Sequence, residues 1–253
     1  LKIQARQQLD NAGRIRSEQA LELSAGGVDN QGTLEARQVT LTVDRLRNSG
    51  TLQAVDLLAL KSNARIDNDT TGSIQGGKGL QVDADVLDNA GIIGSAADAR
   101  LSVATLDNRN RLEAGGTLTL QGGVLRQQAA ATALARVVAV DVQKVINDGR
   151  LHGQQAMDLR ATELSNSGVI YGRDRSQLRT TTLDNAGVIA SDGALDVRTD
   201  ALHNRAGGNL SSAQSLQLDA VTLDNAGNVF AKGALTAKAD VVSYTHLRAH
   251  ETR

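Results

Sequence analysis

Leu183-Asp184-Asn185-Ala186-Gly187 is the stretch on which the fold turns, because the identical pentapeptide also stands at residues 9–13, 87–91 and 223–227. Softer copies open at Val28, Leu46, Ile66, Leu106, Val145, Leu164 and Leu202, and with Leu125 the twelve aliphatic openers lie 18 to 21 residues apart. Two positions after each opener comes Asn11, Asn30, Asn48, Asn68, Asn89, Asn108, Asn147, Asn166, Asn185, Asn204 or Asn225, with Gln127 in the one unit that departs. A period of this size along the whole length is the signature of a repeat architecture and overrides the length-based expectation of one or two globular domains.

Working outward from the pentapeptide, each unit alternates apolar and polar residues in short bursts, as at Leu195 and Val197, Leu21 and Leu23, or Leu216 and Leu218. Period two broken by Gly, Ser and Asp predicts strands and turns, here two or three strands of four or five residues in each unit. Such a unit cannot bury its apolar face alone. Stacking the units as a parallel β-helix of about twelve coils of 19–20 residues places each inward Leu, Ile or Val over its copy, in a rod about 58 Å long.

Composition agrees with that reading. Apolar residues are 40% of the 253, yet the aromatics are only Tyr171, Phe230 and Tyr244, so small aliphatics must fill the interior. Twenty-five Gly and no Pro suit many tight turns between strands that keep every backbone donor. A net charge of −1 from 27 basic and 28 acidic residues gives no nucleic-acid footprint, and no stretch is apolar enough for membrane insertion. Cysteine is absent, which excludes disulfides and thiolate metal sites.

The recurrent Asn is expected at a turn between strands, facing inward, where each amide bonds its copy on the next coil as in stacked cross-β ladders; Gln127 would extend the row imperfectly. The preceding column is chemically mixed, from Asp10, Asp29 and Arg47 through Ile146 to Asp184, His203 and Asp224, and is expected to face solvent.

These units resemble the haemagglutinin-type repeats of very large exoproteins exported by two-partner secretion, such as filamentous haemagglutinins and the stalks of contact-dependent inhibition proteins. The resemblance rests on the Leu-Asp-Asn-Ala-Gly unit followed, two positions after the Gly, by a Leu or β-branched residue, as in Ile15, Leu34, Ile74, Ile170 and Ile189. It implies a right-handed parallel β-helix, secreted or at the cell surface of a Gram-negative bacterium. It also implies as partners an outer-membrane two-partner-secretion transporter and a receptor on a host or neighbouring cell, engaged through regions outside this chain. Residues 1–241 carry the repeat and read as an internal piece of a longer filament. Residues 242–253 place Ser243 and Tyr244 where Asp and Asn are expected, and resemble translated adapter or cloning sequence.

No catalytic, cofactor or metal residue is assigned. Gly72 to Lys78 has the spacing of a phosphate-binding loop, but Gly79 replaces the required Ser or Thr and an alternating strand follows where a helix is needed. Asp83, Asp85 and the outward acids read as a solvated face, and His152 and His203 are lone residues without a second ligand at metal spacing. The segment 128–136, rich in Ala, reads as a degenerate coil that still stacks rather than as a helical bump. The expected function is therefore a structural or adhesive stalk; the rival is a β-helical carbohydrate-active enzyme, which would need an inserted cleft gathering its acids.

Overall fold

The computed structural model describes residues 1–243 and the backbone of Leu247–Ala249. Among the described residues it is all-β, without a helix, and forms a parallel solenoid of about 13 turns, consistent with the right-handed parallel β-helix that the resemblance implies. Every strand pairing is parallel and joins a strand to its counterpart in the next coil, as Leu183 pairs with Leu202 and Leu202 with Leu223.

One coil differs from the expectation of several short strands. It contains one short strand, such as Val188–Ser191, and one long strand, such as Ala194–Asn204, which runs over two faces before reaching the Asn corner. At the bend inside the long strand the ladder skips one residue, Asp44 or Asp200, before pairing resumes on the next face, and the register shifts between Val43 and Arg45; two consecutive outward residues, Asp44 with Arg45 or Asp200 with Ala201, mark the bend. Inward hydroxyls take up carbonyls there: Ser62 Oγ donates to Asp44 O at 2.8 Å, and Thr199 Oγ1 donates to Thr181 O at 3.1 Å.

The inward residues build the aliphatic columns that the alternation predicts. Leu34, Leu52, Ile74 and Ile93 stack on the short-strand face, and Leu46, Ile66 and Leu87 stack beside the Asn corner, all at 1% exposure or less. Each such Leu or Ile contributes about 1.5–3 kcal/mol of transfer free energy against the entropy of ordering its coil.

In the middle of the rod the turn between short and long strand is itself extended, so that Arg111–Gln127, Thr132–Asn147 and Arg150–Asn166 are continuous strands of 16 or 17 residues. The 128–136 segment joins this array. Residues 128–131 form the turn, and Ala131, Ala133 and Ala135 are buried at 1% or less. Ala133 stands in the column that Leu112 and Leu151 occupy in the adjacent coils, while Ala135 keeps the small-residue column of Ala114 and Gly153.

At the far end the backbone keeps its spacing through Ser243, with Val242 opposite Leu223 and Ser243 opposite Asp224. Leu247–Ala249 pairs with the strand at Val229 to Ala231. Residues 244–246 and 250–253, which carry most of the out-of-repeat tail, lie outside the described residues.

Candidate functional site

The most regular side-chain array is the corner column. From Asn11 to Gln127 each amide donates to the next: Asn11 Nδ2 to Asn30 Oδ1 at 2.7 Å, then Asn30 to Asn48, Asn48 to Asn68, Asn68 to Asn89 and Asn89 to Asn108 at 2.8 Å, and Asn108 to Gln127 Oε1 at 3.0 Å. A second run starts at Asn147, which donates to Asn166 at 2.7 Å, and continues through Asn185 and Asn204 to Asn225 at 2.7–2.8 Å. These amides are between 0 and 6% exposed.

Most corners also close their own turn. Asn185 Nδ2 reaches Gly187 O at 3.2 Å, while the Asn166 carbonyl accepts from the N–H groups of Ala186 and Gly187 at 2.8 and 3.0 Å. The coils approach so closely here that a Cβ on Gly187 would lie 2.2 Å from Gly168 O, which explains the Gly of the pentapeptide without any unusual φ.

The two runs do not meet. Gln127, one methylene longer, turns its Nε2 to Arg150 O at 3.1 Å, and the buried Oδ1 of Asn147 is left with no donor among the described residues. A buried acceptor without a partner costs its desolvation, so the substitution is felt one coil further on.

The preceding column faces outward, where its acids meet arginines. Arg65 lies 2.5 Å from Asp67 and 3.1 Å from Asp88, Arg109 lies 2.9 Å from Asp88, and Asp184 pairs with Arg205. Among these acids Asp88 is half-buried. Burial, including an Oδ1 with no donor, raises its pKa above the ordinary carboxylate value even though Arg109 and Arg65 oppose the shift.

The remaining sequence candidates are dispersed. Lys78 of the glycine-rich stretch ends 2.7 Å from Asp56, and a strand, Gly79–Asn89, follows. Asp83 lines a shallow groove of about 500 Å³ with Lys61 and Arg100 on the long-strand face. His203 is exposed and lies 3.6 Å from Asp224. Among the described residues no three His, Cys, Asp or Glu gather as metal ligands.

His152 has company that sequence reasoning missed. Its ring meets Tyr171 edge to face at 4.8 Å, and Tyr171 Oη donates to Asp192 Oδ2 at 2.5 Å. Burial and Arg150 lower the His152 pKa, and burial with the bond to Asp192 pushes Tyr171 up to about 12. Arg150, Gln154, Val169 and Arg173 complete a shallow groove of about 530 Å³ around the two rings. The available signal was position: His152, Tyr171 and Ala190 each stand five residues after a corner Asn.

Repeated parallel coils, an inward amide row and solvated outer faces define a structural solenoid. The haemagglutinin-repeat profile matches residues 1–68, 35–151, 114–171 and 169–242, and the chain belongs to that family. It is 34% identical over 136 residues, 45% of this chain, to the deoxyribonuclease CdiA of Dickeya dadantii (strain 3937). It is also 26% identical over 152 residues, 60% of this chain, to the tRNA nuclease CdiA of Yersinia mollaretii, and 30% identical over 154 residues, again 60%, to the tRNA nuclease CdiA of Escherichia coli O6:K15:H31 (strain 536 / UPEC). The matches span only 4 to 5% of those relatives' length. No solved structure matches the chain.

Proposed function

We propose that the chain is a length of stalk in a large exoprotein, secreted by or held at the surface of a Gram-negative bacterium, and that it works by spacing another part of that protein away from its anchorage. The observation that carries this reading is the parallel coil-to-coil pairing from Lys2 to Ser243, which absorbs local register shifts at the bends and turns and in which each coil is a scaffold for the next. Residues 1–241 act as one such segment, and residues 242–253 are extraneous to it.

The segment acts without catalysis, cofactor or metal. Supporting this, coil spacing never exceeds 21 residues, so no inserted loops wall a cleft, and the outward acids are spread along a column beside arginines. Export through an outer-membrane two-partner-secretion transporter and contact with a host or neighbouring-cell receptor belong to regions outside this chain. Nucleic acid and lipid are not its ligands.

A register test separates a stacked spacer from a fold built around a unique site. Deleting residues 167–185 removes one coil and joins Asn166 to Ala186 in phase; the product should stay folded, with a slightly shorter maximum dimension in small-angle scattering. Deleting residues 167–176 breaks the phase and should unfold at least the coils beside it. If the in-phase deletion collapses the rod as badly as the out-of-phase one, the coils are not interchangeable and the stalk reading falls.

A further inference from the structure

The outward row of the short-strand face changes character along the rod. Register sets it as Arg16, Glu35, Gln53, Gln75, Gly94 and Glu113, then Leu134, His152, Tyr171 and Ala190. In the other outward row of the same face Val169 and Val188 stand beside Tyr171 and Ala190, with Thr132 and Arg150 beside Leu134 and His152. A chain with three aromatics in 253 residues thus places Tyr171 outward in a half-exposed, largely apolar stripe, with Phe230 in the same row beyond Ser211. Stripes of this kind on a soluble face mark contact surfaces.

Charge at the stripe's edge says what fits it. Arg173 and Asp192 follow the adjacent short strands Val169–Gly172 and Val188–Ser191, both are exposed, and Arg173 has no ion-pair partner among the described residues. We propose that this stripe pairs with the same stripe of a second copy of the chain, the two rods lying antiparallel about a two-fold axis that runs along the strands between Tyr171 and Ala190.

That axis superposes unlike partners at each level. Val169 of one copy lies over Val188 of the other, the Tyr171 ring lies over the small Ala190, and Arg173 faces Asp192, each contact occurring twice as an isologous interface requires. A parallel pair about the rod axis would instead set Arg173 against the row of Val169, leaving the charge without a partner. The stripe covers four to five strands, about 20 Å of rod. It therefore buries less than the roughly 800 Å² per partner of a stable dimer, and the pair is expected to be weak and concentration-dependent.

Sedimentation equilibrium of the full 253-residue chain over a concentration series tests the pairing. The wild type should show a monomer–dimer equilibrium; Arg173→Asp and Asp192→Arg should each weaken it by about tenfold or more, and the double variant Arg173→Asp/Asp192→Arg should regain it. Circular dichroism of all three checks that the coils remain intact, and Arg14→Asp, at the polar end of the same face, should leave the equilibrium unchanged. A chain that stays monomeric at the highest concentration overturns the proposal. So does association that ignores both reversals, which would place the contact elsewhere on the rod, or a double variant no better than the singles.

Discussion

Two adjacent columns run the length of this solenoid and differ in almost everything. Asn185 and its copies point inward, are nearly identical from coil to coil and bond one another; Asp184 and its copies point outward and vary from Asp to Arg, Ile, Ser and His, and several of the acids among them pair with a nearby arginine. One backbone step separates them. The difference shows that repetition of a residue in a solenoid reports the side on which it stands: a buried amide must find its partner in the neighbouring coil, whereas an exposed acid can find water.

The sharpest way to break the comparison is Asn185→Ala. It takes the acceptor from Asn166, the donor from Asn204 and the turn bond from Gly187, and should cost about 1–3 kcal/mol of stability, read by denaturant unfolding. Gln127→Asn should work in the opposite direction. A shorter amide restores the geometry of the other corners, gives Asn147 Oδ1 its donor and should raise stability by about 1 kcal/mol in the same measurement. No gain would mean that Asn147 is satisfied in solution and the row is not truly interrupted.

Asp184→Ala should shift the unfolding midpoint by only a small fraction of the Asn185 effect, since it removes an exposed ion pair with Arg205. An equal shift would erase the distinction between the columns. The smallest expected effect belongs to Asp88. Its folded pKa is raised, so the stability contributed by its protonated form is fully present below the unfolded value of 3.8 and is lost as pH rises through the folded value. Carboxyl NMR should find Asp88 titrating above the ordinary value of 3.8, and Asp88→Asn should remove that element of the pH profile. A titration at or below the ordinary range would mean that Arg65 and Arg109 dominate burial.

The period, the alternation and the inward columns were legible in the sequence because a stacked fold writes each layer in the same letters. The strand lengths were not. At Asp44 and Arg45 the ladder skips one residue and then resumes on the next face, because the neighbouring coils bend at the same place, and propensity cannot report that sharing. The Gln127 break needed the reach of one extra methylene in three dimensions. The His152–Tyr171 pair was hidden for another reason: its members are 19 residues apart, and a lone His has a neighbour only once the register is known.

The corner amides all donate in one direction, from each coil to the one that follows it in sequence. Their dipoles therefore add along the axis and polarise one another, so that the rod has electrical polarity as well as length. Such a column behaves like a one-way track. In-frame duplication of a whole unit reproduces every bond, whereas joining two such rods head to head would set donor against donor, so a filament of this kind can be lengthened by copying but not by reversal.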